Sequence, residues 1–448
     1  MPLFFFPIFK ILKRNLLLLF LFINHLLLSA QIDDISHTFF SINKEGHEIS
    51  IPYSSNFDID EDLAQIEKCI IVVHGTNRNS IDYYDNMISA LSQRPELTEK
   101  TLVISPQFLT EEDVDAFSIA DNFPYWSSDG WKVGANSKNN ASNPRDFRIS
   151  SYELLDSLID HLARQFSNLN TLVFTGHSAG GQLTNRYTAS SPIFKSLCSD
   201  HNISSKSIIA NPGSYVYMSP LRRVSGTVDQ FETPSGCAEY NEYSYGLEDL
   251  YAYHSMAGAN QIKEWYGSRE VVYMNGSNDN DPNASTLPRS CRAMLLGNHR
   301  LERGEIYYNH ILDTYGADIA PLHRRYIIEG VGHNNFDMYH SEQGLSELFD
   351  IAPMNNCSDI NTATADIPSI DVSLYPNPTT HSVILRMDEN LRAPILVRMT
   401  SMSGVELWRQ SSILSSEVLI PMEEWPVGMY LLHIKYSVGS VLYKIIKQ

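Results

Sequence analysis

The 448-residue sequence is longer than one average domain and contains 43% hydrophobic and 19% charged residues, with a formal net charge of −19. This composition is that of a globular protein and excludes wholesale disorder. The acidic balance argues against a nucleic-acid partner, because binding a phosphate backbone requires clustered lysines and arginines.

The first thirty residues have the pattern of a secretory leader. They contain Lys10, Lys13 and Arg14 but no acidic residue, and a long apolar run follows. The run ends in Leu-Ser-Ala before Gln31, where cleavage by signal peptidase is expected although the leucine is larger than usual. The sequence predicts a signal peptide over residues 1–30, with a retained N-terminal anchor as the alternative. The protein is exported in either case.

The five cysteines are too few and too scattered for a disulfide-stapled mini-domain. In an oxidising compartment we expect one or two disulfides, and the odd count leaves at least one thiol outside them. Neither a Cys-x-x-Cys pair nor a His-Glu-x-x-His string occurs, so we expect no metal and no other cofactor.

Residues 31–355 have the pattern of one α/β domain. A hairpin around Gly46 comes first. Six short apolar runs then alternate with helical patterns, as expected of strands that are buried on both faces of a parallel sheet. These runs are 69–73, 101–104, 171–174, 206–209, 270–274 and 326–328. Helical periodicity is clearest over 151–166, and a last helix is predicted over 342–349. The alternation predicts an open, mostly parallel sheet covered by helices.

Residues 215–266 interrupt this alternation with a segment rich in tyrosine, glycine, serine and acidic residues. One interpretation is a cap insertion above the sheet that places some tyrosines against the substrate. The alternative is that these tyrosines are half-buried packing residues.

The segment 176–180, Gly-His-Ser-Ala-Gly, makes Ser178 the candidate nucleophile. The five-residue motif alone is weak, but it directly follows an apolar strand and opens a segment that can continue as a helix. A sharp turn from strand to helix forces the serine into strained backbone geometry, and glycines two residues away prevent a collision across that turn.

A serine hydroxyl needs a base, and that base needs a carboxylate. His333 follows the last predicted strand and a pair of glycines, which suits a loop that carries an imidazole to the edge of the sheet. Asp279 stands three residues after Gly276, beyond the preceding strand, and Asp281 is the alternative acid. Ser178, Asp279 and His333 follow one another in the chain order of α/β hydrolases.

Two backbone N–H groups are expected to bind the oxyanion. One belongs to Ala179, after the serine. The other belongs to the loop 74–77, from Thr76 or from Asn77, and Gly75 allows this loop to bend closely around the site. We interpret His74 as a hydrogen-bonded loop residue rather than a catalytic one.

With these motifs, residues 35 to 350 resemble the α/β-hydrolase superfamily and look like an extracellular carboxylesterase, mainly through residues 73–76 and 176–181. The resemblance implies an acyl-enzyme mechanism on ester substrates. The short loop after Gly75 differs from the His-Gly-Gly-Gly form of some lipases and esterases.

Residues 356–370 have linker composition, and residues 371–448 show short alternating strands typical of a small β-sandwich. This tail resembles the C-terminal sorting domain of the type IX secretion system, through 374–378, Gly404, 425–430 and the basic end at 444–448. The resemblance implies that the secretion machinery is a partner, and that the chain passes through the periplasm and outer membrane to be released or attached at the cell surface. The alternative is an accessory carbohydrate-binding sandwich.

The sequence therefore predicts a secreted serine hydrolase that cleaves carboxylic esters. Two alternatives remain at this point. One is a peptide or amide hydrolase on the same fold, because the triad alone does not distinguish these bonds. The other is a surface-displayed binding protein that has kept the fold without the reaction.

Overall fold

The computed structural model describes residues 34–354, 373–386, 396–401, 406–410, 417–436 and 439–448. The predicted signal peptide (1–30) and linker (356–370) lie outside these residues. The chain divides into two compact units, Met1–Ile360 and Asn361–Gln448.

An eight-stranded sheet forms the centre of the first unit, in the order β1-β2-β4-β3-β5-β6-β7-β8. The strands β1 and β2 form an antiparallel hairpin, β2 pairs antiparallel with β4, and the pairings from β4 to β8 are parallel. The strands are β1 (Thr38–Lys44), β2 (His47–Ser55), β3 (Lys68–Val73), β4 (Thr101–Pro106), β5 (Thr171–His177), β6 (Ser204–Ala210), β7 (Val271–Gly276) and β8 (His323–Ile328).

Helices accompany the sheet along the chain, together with the 3-10 turns Pro95–Lys100, Gly130–Val133 and Ala317–Ile319. The helices are α1 (Ser80–Leu91), α2 (Glu111–Phe117), α3 (Ser151–Gln165), α4 (Ala179–Ser190), α5 (Ile193–His201), α6 (Ala252–Ser255), α7 (Gly258–Ser268), α8 (Cys291–Met294), α9 (Arg300–Tyr315), α10 (Asn335–His340) and α11 (Glu342–Leu345). The predicted last helix is α11, continued by the π-helical turn Ser346–Asp350.

The central strands, such as β3 (KCIIVV), are mostly apolar because both of their faces are covered. In β3, Ile71 and Val73 pack in one core with residues of α3, while Ile70 and Val72 pack in a second core with residues of α1. Burying each such side chain stabilises the fold by about 1.5–3 kcal/mol. The expected mostly parallel sheet between helices is confirmed, and its parallel strands direct their carboxyl ends to one edge.

The segment 215–266 contains α6, α7 and a two-stranded ribbon of Arg222–Arg223 with Phe231–Glu232. Tyr215, Tyr217 and Tyr243 are buried in a third core, which includes Tyr273 of β7 and Tyr307 of α9. These three tyrosines therefore pack against the sheet and its helices.

One disulfide of the described residues joins Cys237, in this segment, to Cys291 at the start of α8. Cys69 in β3 is a buried free thiol. Within the described ranges, no helix has both the length and the apolarity required to cross a membrane.

The second unit consists of two antiparallel sheets, in the orders β9-β10-β13 and β12-β11-β14-β15. Alternating side chains from both sheets share one core, including Val383 and Ile420 from the first and Met399 and Leu432 from the second. The strands are β9 (Ser373–Tyr375), β10 (Ser382–Arg386), β11 (Leu396–Ser401), β12 (Glu406–Gln410), β13 (Glu417–Pro421), β14 (Gly428–Tyr436) and β15 (Gly439–Lys447).

Candidate active site

Ser178 occupies a sharp turn between β5 and α4. Its backbone lies at φ 59° and ψ −116°, a region that L-residues rarely adopt. A Cβ on Gly176 would lie 2.5 Å from the carbonyl carbon of Gly180, and a Cβ on Gly180 would overlap the carbonyl oxygen of Val73. Only glycine fits at either position, which is the steric reason for the motif.

A continuous hydrogen-bonded chain joins three of the candidate residues. The Oγ of Ser178 lies 2.8 Å from Nε2 of His333, and Nδ1 of the same ring lies 2.7 Å from Oδ2 of Asp279. Ser178 and Asp279, which stand at the two ends of this series of hydrogen bonds, are 8% and 5% exposed. The His333 side chain between them is 28% exposed and stays accessible to solvent. The arrangement allows the hydroxyl to donate to Nε2 while Nδ1–H donates to the carboxylate.

The alternative acid Asp281 lies elsewhere. It is exposed, and its carboxylate accepts the backbone N–H of Asn283 at 2.8 Å, as a turn-forming aspartate does. Among the described contacts, Asp279 is the carboxylate that reaches His333.

Arg300, the first residue of α9, lies behind Asp279. Its guanidinium is 2% exposed, and its Nη1 is 3.4 Å from Oδ1 of Asp279, the oxygen that does not contact the imidazole. Its Nη2 donates to Oγ1 of Thr286 at 2.9 Å. Burial lowers the pKa of Arg300, and the attraction of Asp279 opposes that shift. Arg300 was not predicted from the sequence, because an arginine at the start of a helix belongs to no catalytic motif.

Asn211, one residue past β6, connects the loops that carry Asp279 and His333. Its Oδ1 accepts the N–H of Gly276 at 2.8 Å, and its Nδ2 donates to the carbonyl of Gly332 at 3.1 Å. Asn211 is fully buried, with φ at 43°, a conformation that asparagine tolerates better than most residues. Asn211 was not predicted from the sequence either, because an asparagine before proline and glycine is typical of an ordinary turn.

His177 lies beneath the site, and its ring centroid is 4.6 Å from that of His333. Its Nδ1 is 3.2 Å from the hydroxyl of Tyr83, and its Nε2 is 3.5 Å from Nδ2 of Asn211. Burial lowers the pKa of His177 well below its usual value, so the ring stays neutral at neutral pH. It supports His333 from below without adding a second positive charge.

The loop after β3 is held by a buried ion pair. Arg78 donates from Nε to Oδ2 of Asp113 at 2.6 Å and from Nη2 to Oδ1 at 2.8 Å. Its Nη1 also donates to the carbonyl oxygen of Thr76 at 3.1 Å, which fixes that residue's position. Gly75 allows the close approach of Tyr83, because a Cβ at this position would lie 2.7 Å from the Tyr83 hydroxyl, which would have to shift.

Ala179 is buried and is the first residue of α4, a helix of 12 residues. The first N–H groups of a helix have no carbonyl partner within it, and the helix dipole favours negative charge at that end. Thr76 and Ala179 therefore border the serine with a loop on one side and a helix N-terminus on the other.

His74 is fully buried and has both ring nitrogens engaged. Nε2 accepts the N–H of Phe108 at 3.0 Å, and Nδ1 is 2.8 Å from the carbonyl of Gly75, an arrangement that fits a neutral imidazole. Burial lowers its pKa to about 4. Its contacts are those of the hydrogen-bonded loop histidine that we expected.

A cavity of about 320 Å³ opens onto Ser178. It is lined by Gly75, Thr76, Asn77, Asn79, Tyr83, His177, Ser178, Thr286, His333, Asn334 and Asn335. This lining includes no residue of the segment 215–266. A larger cavity of about 600 Å³ lies at the opposite edge of the sheet, near the start of β6, and contains none of the candidate site residues. No group of histidine, cysteine and acidic side chains in the described parts of the chain is arranged to hold a metal ion.

Comparison with known proteins identifies the tail. Residues 373–448 match the family model of the secretion system C-terminal sorting domain. This domain directs export by type IX secretion to the cell surface or the extracellular space, so the predicted localisation is confirmed. No curated protein matches the sequence.

Several solved structures are similar to the chain. Poly(aspartic acid) hydrolase-1 from Sphingomonas sp. KT-1 is 20% identical, with a TM-score of 0.45, over 70% of this chain and 100% of its own. The poly(3-hydroxybutyrate) depolymerase LpqC from Bordetella parapertussis is 18% identical, with a TM-score of 0.45, over 71% of this chain and 92% of its own. An S-formylglutathione hydrolase from Agrobacterium tumefaciens is 13% identical, with a TM-score of 0.35, over 71% and 99% of the two chains. At these values the similarity says nothing about activity.

The fold class follows from the topology of the first unit itself. A mostly parallel sheet with helices on both faces carries a strand–serine–helix turn at its centre, which is the plan of an α/β hydrolase. The expected fold class is therefore confirmed, together with a small all-β second unit.

Proposed function

We propose that the first unit is a serine hydrolase that cleaves carboxylic esters outside the cell, with Ser178 as nucleophile, His333 as general base and Asp279 as the acid that orients it. The observation that carries this proposal is the chain of two short hydrogen bonds from Ser178 through His333 to Asp279. Export through the sorting domain supports an extracellular site of action.

In the first step, the Oγ of Ser178 attacks the ester carbonyl carbon while His333 Nε2 takes the hydroxyl proton. Asp279 holds the Nδ1–H tautomer and stabilises the imidazolium that forms. The tetrahedral intermediate then collapses, its bond to the alcohol oxygen breaks, and His333 returns the proton to the departing alcohol. The acyl group remains on Ser178 as an ester.

The negative charge that develops on the carbonyl oxygen is stabilised by the backbone N–H groups of Ala179 and Thr76. Two features support this assignment: Ala179 begins α4, and the Thr76 peptide is held by Arg78. Removing one such donor typically costs about 10²–10³ in kcat.

In the second step, water attacks the acyl-enzyme and gives a proton to His333 Nε2. The carboxylic acid leaves, and Ser178 recovers its proton from the imidazolium. We favour esters over amides, because an amide nitrogen is a poorer leaving group that must be protonated more completely. The contacts among Ser178, His333 and Asp279 would serve the cleavage of both bonds, so both kinds of substrate are tested.

The test is hydrolysis of p-nitrophenyl acetate and of a peptide anilide by the secreted full chain and by Ser178→Ala. Ester turnover should fall by about 10⁴–10⁶ in Ser178→Ala. Ser196→Ala, on α5, is the matched control: its hydroxyl donates to the carbonyl of Ile193 at 3.0 Å, and its turnover should match the parent protein. Equal ester turnover in the parent and Ser178→Ala would refute the proposal, and faster cleavage of the anilide than of the ester would shift it to amide hydrolysis.

A further inference from the structure

The side chains around the cavity, apart from the triad and the residues beneath it, are uniformly polar and uncharged. They come from four places in the fold: the loop after β3, the loop before α8, the N-cap of α10, and α10 itself. They are Asn77, Asn79, Thr286, Asn334 and Asn335. Ligand sites are usually lined mostly by apolar and aromatic side chains. Tyr83 is the one tyrosine in this lining, and no lining residue has an aliphatic side chain.

Several of these groups retain hydrogen-bonding capacity toward the cavity. Asn334 uses its Oδ1 to accept the N–H groups of Phe336 and Asp337, which leaves its amide hydrogens as donors. Thr286 accepts from Arg300 and keeps its own hydroxyl proton to donate. Asn77 is exposed, and no hydrogen bond of its side chain is described in the structure. Asparagine offers both donors and an acceptor, which matches the dual capacity of an alcohol hydroxyl.

A long acyl chain fits this lining poorly. An apolar chain would cover the amides and the hydroxyl without satisfying them, at a cost of about 1–3 kcal/mol for each buried group. A site that hydrogen-bonds its substrate strongly rejects an analogue that lacks the hydrogen-bonding group. An apolar pocket rejects an analogue that carries an extra polar group much less strongly.

An anionic substrate is disfavoured as well. The lining contains neither lysine nor arginine, and Arg300 behind it is engaged by Asp279 and Thr286. The chain carries a formal net charge of −19, so an anionic polymer would approach against repulsion.

We propose that the substrate is a short-chain acyl ester of a neutral, hydroxyl-rich alcohol, of which an O-acetylated neutral polysaccharide is the chemical type. This inference rests on the proposed function of Ser178. The His333 side chain is 28% exposed, and the cavity lining contains no residue of the segment 215–266. An ester on a bulky polymer, which meets the protein only after export, can therefore reach the serine without threading through a covered channel.

The test compares kcat/KM on four probes: p-nitrophenyl acetate, p-nitrophenyl octanoate, an O-acetylated xylo-oligosaccharide and an O-acetylated oligouronide. We expect the acetylated xylo-oligosaccharide to exceed the octanoate ester by at least about tenfold. It should exceed the anionic oligouronide by a similar factor at low ionic strength, and this second ratio should shrink in added salt as the repulsion is screened.

Asn77→Leu replaces the amide by an apolar side chain of similar size. It should lower the ratio of kcat/KM on the acetylated sugar to that on the octanoate ester by about tenfold, equivalent to one lost hydrogen bond of 1.4 kcal/mol. Asn168→Leu is the matched control. Asn168 is an exposed asparagine that precedes β5, at the amino ends of the strands, whereas Ser178 follows the carboxyl end of β5. Its ratio should equal that of the parent protein.

The two hypotheses fail separately. If p-nitrophenyl acetate is hydrolysed and Ser178→Ala abolishes this turnover, the proposed function stands. A preference for octanoate or for the oligouronide would then overturn the substrate inference alone, as would an unchanged ratio in Asn77→Leu. If no ester is cleaved in a Ser178-dependent manner, the proposed function falls and the substrate inference falls with it.

Discussion

Asn211 offers a sharp test of how the candidate triad is held together. Its side chain joins the loop that leads to Asp279, through the N–H of Gly276, to the loop that leads to His333, through the carbonyl of Gly332. We consider Asn211→Gly, because glycine adopts the φ of 43° at this position without strain. The substitution therefore removes both hydrogen bonds to the loops, together with the 3.5 Å contact to Nε2 of His177, and leaves the backbone geometry possible.

The magnitude follows from those two bonds. A buried hydrogen bond contributes about 1 kcal/mol net, and a carbonyl left without a partner costs about 1–3 kcal/mol. The carbonyl belongs to the residue directly before His333, so the loop is expected to shift to recover a partner, and the imidazole shifts with it. If 1.4–2.7 kcal/mol of this loss falls on the transition state, kcat falls by about 10- to 100-fold.

The assay is steady-state hydrolysis of p-nitrophenyl acetate, with the second-order rate of Ser178 labelling by a fluorophosphonate as an independent readout of the nucleophile. We expect kcat and the labelling rate to fall together while KM changes by less than about threefold, because Asn211 does not line the cavity. The control is Asn202→Gly, since Asn202 is an exposed asparagine at φ 56° that caps α5 far from the triad. It should retain full activity. If Asn211→Gly lowered the melting temperature but kept the parent kcat and labelling rate, Asn211 would be a structural residue only.

Three further predictions follow from the site and its surroundings. Asp279→Asn should lower kcat by about 10⁴, because the His333 imidazole loses the acceptor that fixes its tautomer. The kcat of Asp281→Asn should stay within about twofold of the parent value, and similar losses in both variants would contradict the assignment. Burial keeps His74, His254 and His323 neutral in the folded chain, as it does His177, while the unfolded chain protonates these histidines near pH 6.5. Burial lowers the pKa to about 4 for His74 and His323 and to about 3 for His254. The unfolded state binds more protons below pH 6.5, so the free energy of unfolding should fall with decreasing pH, by about 3 kcal/mol per pH unit for His74, His254 and His323 together between pH 6 and pH 4. Denaturant titrations that show flat stability over this window would refute it. Replacing Cys237 and Cys291 by serine opens a 54-residue loop in the unfolded chain and should lower the free energy of unfolding by up to about 4 kcal/mol, as measured by calorimetry. An unchanged free energy of unfolding would contradict this and would mean that the loop is already ordered in the unfolded chain.

The fold was largely predictable because its strands are covered on both faces. A run such as residues 69–73 is apolar at every position, and the structure extends it by a single residue, to Lys68–Val73. The predicted strand 326–328 proved longer, at His323–Ile328, because it lies at the edge of the sheet and carries two arginines that hide the apolar pattern. The positions of Ser178, Asp279 and His333 could be proposed because each follows a strand that is itself easy to recognise.

Arg300 and Asn211 were not predictable in the same way. Both act through contacts with residues far away in the chain, and each has a simple local interpretation: a polar residue on a helix for Arg300, a turn for Asn211. The segment 215–266 shows a second limit. A tyrosine-rich composition suits both a cap that contacts substrate and a core that packs on the sheet. The sequence does not show that Tyr215 and Tyr217 are buried, and their burial is seen only in the structure.

The backbone of Ser178 has a consequence for how such a protein evolves and can be engineered. A non-glycine residue at φ 59° costs about 1–2 kcal/mol, which the surrounding fold must offset. Glycine at position 178 would release this strain, so the inactive variant should unfold at a higher temperature than the active protein. Screens that reward thermal stability alone would therefore select against the proposed nucleophile, and any stabilisation of this protein has to be sought away from the turn between β5 and α4.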